Sequence, residues 1–166
     1  MSEHGIDISS VLLKELFIID CPPFACKDNL FEYMAGQFEE KGIVSDKEAF
    51  KQSLNDREMQ GSTYMGDYIA IPHGQSEAVL RPGVGFIRCQ ESFQYQSAGE
   101  EGPVRYIFML AVSNAQEDAE HLRILATLAG YLMKDEFRNL MDRVQRYEEM
   151  MDGIRRLEAQ LAQKEE

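Results

Sequence analysis

Residues 57–74 read REMQGSTYMGDYIAIPHG, a helix end, a loop, an apolar run and an abrupt stop. Gly61, Ser62, Thr63 and Gly66 give the loop its composition, and the apolar residues 68–71 end at Pro72, His73 and Gly74. The expectation is a strand that hands over to a loop at His73. Proline removes one backbone donor and fixes the approach, and glycine lets the chain turn away, so the ring is expected to be accessible at a shallow surface site. Taken on position alone, His73 is either an exposed nucleophile or a histidine that finishes a strand and bonds a neighbour.

Working upstream, Ser45 followed three residues later by Glu48 reads as a capping box, and Ala49, Phe50 and Leu54 supply the buried stripe of a helix to about Met59. Arg57 falls in its last turn. An earlier helix, capped by Asp28 or Asn29 and ended by Gly42, carries Leu30, Phe31, Met34 and Phe38 at spacings of three to four. Before it, the apolar residues 16–19 form a short strand closed by Asp20, Cys21, Pro22 and Pro23.

Downstream, residues 84–89 and 104–112 are strand candidates with a turn at 97–103, and the second is apolar enough for a central strand covered on both faces. Leu122, Leu125, Leu128, Ala129 and Leu132 then mark one side of a helix with His121 near its start, and Phe137, Leu140, Met141 and Val144 mark another. Met150, Ile154, Leu157 and Leu161 form a last seam that suits either the chain's own domain or a second copy, with Gly153 weighing against one continuous helix. Helices interleaved with strands point to an α/β layer fold.

The chain has 166 residues, 44% of them hydrophobic, which suits one soluble domain. The apolar runs fall short of the roughly 20 residues that span a bilayer, so a cytoplasmic protein without membrane insertion is expected. A net charge of −12, with 29 acids against 17 bases, disfavours a groove for nucleic acid and suits a basic protein partner. Cys21, Cys26 and Cys89 lack the spacing of a zinc site or redox motif and are expected to be reduced and structural. Neither His73 nor His121 belongs to a metal-ligand set, and no glycine-rich nucleotide loop is present, so neither metal nor cofactor is expected.

Arg57, Glu58, Gly61, Ser62, Thr63 and Gly66, followed by Ile69, Ala70, Ile71, Pro72, His73 and Gly74, closely resemble a known phosphorylation-site signature. It is that of the mannitol and fructose type enzyme IIA domains of the bacterial phosphoenolpyruvate-dependent sugar phosphotransferase system. His121, Leu122, Leu125, Ala126 and Leu128 resemble that family's second histidine block. The likeness covers roughly residues 10–155, which suggests a domain at 1–155 and a helical tail at 156–166. One departure is visible: Tyr64 and Met65 occupy positions where the family has Gly and Ile, and a tyrosine does not readily adopt positive φ.

The resemblance implies a three-layer α/β sandwich with a mixed sheet flanked by helices, and a phosphotransferase component acting through a phosphohistidine. His73 would accept phosphate from the carrier HPr and pass it to an enzyme IIB in carbohydrate uptake. Imidazole is largely neutral near its ordinary pKa of about 6.5, hence nucleophilic without a separate base. Arg57 would stabilise charge on the phosphoryl oxygens. His121, at the positive end of a helix dipole, would be a neutral donor that orients His73 or touches phosphate. Ser62 and Thr63 either contact phosphate or steady the turn, with Thr63 favoured as the family position. Two further readings are a regulatory enzyme IIA of the nitrogen type, which binds target proteins according to its phosphorylation state, and a pure binding module. The sugar and the oligomeric state, including a homodimer, stay open.

Overall fold

The computed structural model describes residues 8–114 and 118–164. His4 lies outside them, as do the side chains of His121, Leu122 and Leu161. The chain divides into two compact units, Leu13–Gln116 and the pair of chain ends Met1–Leu12 with Glu117–Glu166.

After α1 (Ile8–Val11), strand β1 spans Leu12–Cys21, longer at both ends than the expected run at 16–19. Helix α2 (Lys27–Glu40) buries Leu30, Phe31, Met34, Ala35 and Phe38, the expected stripe. Its N-cap is Cys26, not Asp28 or Asn29: the Cys26 thiol donates to Asn29 Oδ1 at 3.0 Å, and Asp28 sits in the first turn, where its charge meets the positive end of the helix. Gly42 ends the helix as expected, at φ 76°, with its N–H on the Glu39 carbonyl.

Helix α3 (Lys47–Glu58) is capped by Asp46, whose carboxylate accepts from the N–H groups of Glu48 and Ala49. The Ser45 capping box therefore does not form. Ser45 is committed elsewhere: its N–H and hydroxyl both reach the Ala78 carbonyl, beside the isolated bridge of Val44 with Val79. Phe50, Leu54 and Glu58 are the buried residues of α3, one per turn along a single face.

The sheet joins β2 (Tyr64–Gly66), β3 (Ile69–Ala70), β4 (His73–Ser76), β5 (Gly83–Ser97) and β6 (Glu100–Ser113) to β1 in the order β1-β5-β6-β3-β2, with β4 also on β6. β3 and β4 run parallel to β6, Ala70 against Ile107 and His73 against Leu110, so they share one lane. The lane is interrupted only at Ile71 and Pro72. Proline has no N–H to give, and the Ile71 N–H turns to the Thr63 carbonyl at 2.9 Å. His73 thus opens a strand, where the sequence reading had it lead into a loop.

β5 and β6 form one long antiparallel hairpin, from Gly83 opposite Ala111 to Ser97 opposite Glu100. Its turn is Ala98 and Gly99 alone, with φ of 47° and 85°, the paired positive values of a type I′ connection. The turn expected at 97–103 is therefore mostly strand: Phe93, Tyr95 and Ser97 are buried while Gln94 and Gln96 are exposed, an alternation whose polar half hid the strand. Leu13 meets Gly83, Leu16 meets Gly85 and Cys21 meets Cys89, positions that advance together, so β1 runs parallel to β5. With parallel and antiparallel pairs in one sheet and helices beside it, the chain has the mixed α/β class expected.

In the second unit, α4 (Asp118–Leu132), α5 (Asp135–Arg143) and α6 (Tyr147–Lys164) join α1. The buried side of α4 carries Ile124, Leu128, Tyr131 and Leu132, whereas Leu125 and Ala129 are only half-buried, so the face is turned from the one expected. α5 buries Phe137, Leu140 and Met141 as expected. α6 passes Gly153 without a break, and the glycine gives α5 room: a Cβ on Gly153 would stand 2.4 Å from a Leu140 methyl. Met150, Ile154 and Leu157 are buried, and the Tyr147 hydroxyl donates to the Leu12 carbonyl at 2.7 Å, so the seam is used inside its own unit. Among the described residues no helix is long and apolar enough to cross a membrane.

Candidate functional site

His73 stands at the start of β4, next to Gly74, where α3 comes close. A Cβ on Gly74 would sit 2.2 Å from Ser53 Oγ and 3.1 Å from the Leu54 backbone nitrogen, so only glycine lets strand and helix approach this far. Across that contact, Arg57 Nε donates to His73 Nε2 at 2.9 Å, and another guanidinium nitrogen donates to the Gly61 carbonyl at 2.8 Å. His73 Nδ1 lies 3.0 Å from the Ile71 carbonyl. A carbonyl only accepts and a guanidinium only donates, so the proton belongs on Nδ1 and the lone pair on Nε2.

His73 is 4% exposed, which corrects the expectation of an accessible ring at a shallow surface. Pairing to β6 and the guanidinium over Nε2 enclose it. Two of the residues singled out in the sequence, Arg57 and His73, are thus brought into direct contact. His121 belongs to α4, in the other unit.

Thr63 is placed differently from a phosphate contact. It is 2% exposed, its hydroxyl donates to Glu58 Oε2 at 2.5 Å, and its N–H donates to Ser97 Oγ at 2.8 Å. With the Thr63 proton on Glu58, the Tyr95 hydroxyl at 2.7 Å is the donor to Thr63 Oγ1. Ser62 steadies the turn, accepting the Tyr64 N–H at 3.0 Å.

Glu58 belongs to the quoted signature, but the sequence assigns it no role of its own. It is 7% exposed, and its carboxylate accepts from Lys27 Nζ at 2.9 Å, Ser97 Oγ at 2.5 Å and Thr63 Oγ1. The signal was there: Glu58 extends the spacing of Phe50 and Leu54, putting a charge on the helix's apolar face. Burial, and secondarily the Glu58 charge, push the Tyr95 hydroxyl well above the ordinary tyrosine range, so it remains a donor.

Tyr64, the departure from the family pattern, is a β2 strand residue with no positive φ. The left-handed residues come later, at Gly66, Asp67 and Tyr68. Its ring stacks on Tyr95 at 6.5 Å and its hydroxyl fills the space over Gly102. Among the described residues no group of three or more His, Cys, Asp or Glu is placed to hold a metal ion. Cys21, Cys26 and Cys89 are unbridged, with Cys26 exposed.

Residues 10–156 match the family described as phosphoenolpyruvate-dependent sugar phosphotransferase system, EIIA 2. The chain belongs to this EIIA family. It is 33% identical over 132 residues to the fructose-specific EIIA component of Haloferax volcanii, covering 80% of this chain and 84% of that one. It is 30% identical over 128 residues to the fructose-specific EIIABC component of Bacillus subtilis, 77% of this chain but only 20% of that longer protein. Among solved structures, the nitrogen regulatory protein IIA-Ntr of Neisseria meningitidis superposes with a TM-score of 0.75 at 28% identity, covering 89% of this EIIA chain and 98% of its own. The complex of enzyme IIA mannitol with phosphorylated enzyme IIB mannitol from Escherichia coli gives 0.69 at 23% identity, over 86% and 96%, a likeness of fold.

Proposed function

We propose that this EIIA is a phosphocarrier that takes a phosphoryl group on His73 from phospho-HPr and passes it to an enzyme IIB, in the cytoplasm and in the service of carbohydrate uptake. The observation that carries the reading is the fixed tautomer of His73, Nδ1–H on the Ile71 carbonyl and the Nε2 lone pair under Arg57. The Nε2 pair attacks phosphorus while the N–P bond of the donor phosphohistidine breaks and returns its electron pair to the donor ring. Bond formation puts positive charge on the His73 ring, which the Ile71 carbonyl stabilises through Nδ1–H.

Arg57 covers Nε2 at rest and must yield it. Its bond to the Gly61 carbonyl keeps the guanidinium at the site, ready to turn its donors onto the equatorial phosphoryl oxygens. We assign Thr63 to anchoring the loop in place of the phosphate contact expected for it, because its hydroxyl and N–H are both engaged. His121 keeps the supporting role that the resemblance implies. The onward step to enzyme IIB is supported by the Escherichia coli complex, a partnership of that protein's.

Incubation with phosphoenolpyruvate, enzyme I and HPr, followed by intact mass, tests the reading. One added phosphate is expected in the wild type, none in His73→Ala, and a slower gain in His121→Ala; a wild type that stays unmodified beside a phosphorylated control EIIA refutes it. The likeness to IIA-Ntr favours a second reading, a regulatory EIIA that binds target proteins by phosphorylation state. Presenting the phosphorylated chain to a fructose or mannitol type enzyme IIB separates the two, since a carrier loses its phosphate and a regulator keeps it.

A further inference from the structure

We propose that Glu58 is the positioning residue of the transfer site, holding both Arg57 and His73 through one buried anchor at Thr63; the inference rests on the phosphocarrier reading above. Two short chains of bonds converge there. On one side, the Thr63 carbonyl accepts the Ile71 N–H, and the Ile71 carbonyl accepts His73 Nδ1–H, which sets the tautomer and the ring plane. On the other, Arg57 is tied to the Gly61 carbonyl, which lies in the five-residue link from the end of α3 to Thr63, residues 59–63. The Glu58 side chain closes that link by gripping the Thr63 hydroxyl.

Glu58 is itself held from three directions: Lys27 at the start of α2, Ser97 at the end of β5, and Thr63, with Tyr95 backing Thr63 from the same face of β5. A carboxylate this buried is costly unless every oxygen is met, and here each one is. A carboxylate placed only to stabilise the fold would not need to grip the residue whose carbonyl sets the acceptor's backbone. The Glu58 carboxylate itself bonds Lys27, Ser97 and Thr63 and not the reacting ring, so it acts through Thr63, Gly61 and Ile71.

The test uses the full chain with Glu58→Gln, Thr63→Val and Thr63→Ser, each checked for folding by circular dichroism. Single-turnover phosphorylation by phospho-HPr is read with the ¹⁵N shifts of the His73 ring. Glu58→Gln and Thr63→Val are expected to slow the maximal rate about tenfold to a hundredfold, the scale of a misplaced reacting group, with the donor concentration for half-maximal rate little changed. The Nδ1–H tautomer should lose its dominance in both. Thr63→Ser, which keeps the hydroxyl, should recover most of the rate, and the Glu58→Gln, Thr63→Val double variant should be no slower than the worse single one.

If folded Glu58→Gln and Thr63→Val transfer at the wild-type rate with unchanged ¹⁵N shifts, the carboxylate is merely structural and the inference falls. Should Glu58→Gln not fold, the Thr63→Val and Thr63→Ser pair decides alone. A wild type that takes no phosphate overturns the carrier reading instead, and the ¹⁵N shifts then judge the positioning of His73 separately.

Discussion

The two halves of the β5–β6 hairpin are built on different terms. In the inner half every residue from Gly83 to Cys89 is buried, and Phe86 lies between Phe17 and Phe108 at ring separations of 5.5 and 5.0 Å. In the outer half only one face is buried, giving Phe93, Tyr95 and Ser97 inward and Gln94 and Gln96 outward. The register slips between them, from Arg88 opposite Tyr106 to Phe93 opposite Val104. Two-sided burial favours apolar side chains, and the one charge in this stretch, Arg88 at 2% exposure, is paired with Asp20. One-sided burial leaves room for polar tips, and the outer half uses it to send two hydroxyls to Glu58 and Thr63. The inner half carries stability and the outer half serves the site.

The most direct way to break that division is Phe86→Ala, which should lower the unfolding free energy by about 3–5 kcal/mol in denaturant titration. A loss no larger than that of a surface substitution would mean the inner half is not packed as described. A smaller effect is expected from Tyr95→Phe, about 1 kcal/mol for one donated hydrogen bond. Made in a Thr63→Val background it should cost almost nothing more, and an undiminished loss there would show that Tyr95 does not act through Thr63.

The least effect concerns the mouth of the inner half, where Glu15 of β1 pairs with Arg81. A backbone hydrogen bond first, and the Arg81 guanidinium second, hold the Glu15 carboxyl below the usual carboxylate value. A lowered folded-state value contributes stability that is present above the ordinary carboxylate range and is lost as pH falls through the lowered value. Glu15→Gln should therefore lower Tm slightly at pH 7 and not at pH 2, and because the pair is exposed the difference should shrink in salt. A Tm gap that persists at pH 2 would remove the titration from the explanation.

The same division explains what the sequence disclosed. Residues 84–89 and 104–112 announce themselves because burial on both faces leaves runs that are apolar but for Arg88 and Arg105, while Ser97 to Pro103 look like a turn because Gln, Ser, Glu and Gly serve a strand with one wet face. Helix stripes were legible in α2, α3 and α5, but two caps were misplaced, by two residues or more at Cys26 and by one at Asp46, since neighbouring polar residues compete for the same amides and tertiary contacts choose among them. Arg57 and His73 were found because their residue types and order form a recognisable pattern. The enclosure of His73 was not, because Pro-His-Gly reads locally as an exit to solvent whereas Gly74 serves the approach of α3. Glu58 stands in the signature without a role, as a charge beside an arginine, although its spacing from Phe50 and Leu54 marks it as inward-facing.

That tight crossing of α3 over Gly74 also sets what a transplant of the site has to carry. A motif graft that copied only Ile-Ala-Ile-Pro-His-Gly into another scaffold would carry the histidine without its arginine, because the guanidinium arrives on a different element. The smallest portable piece is the helix, the link that follows it and the β3–β4 lane together, residues 47–76, with a glycine kept after the histidine. In a recipient whose nearest helix stands at ordinary helix-to-sheet spacing, the ring and the guanidinium would never meet.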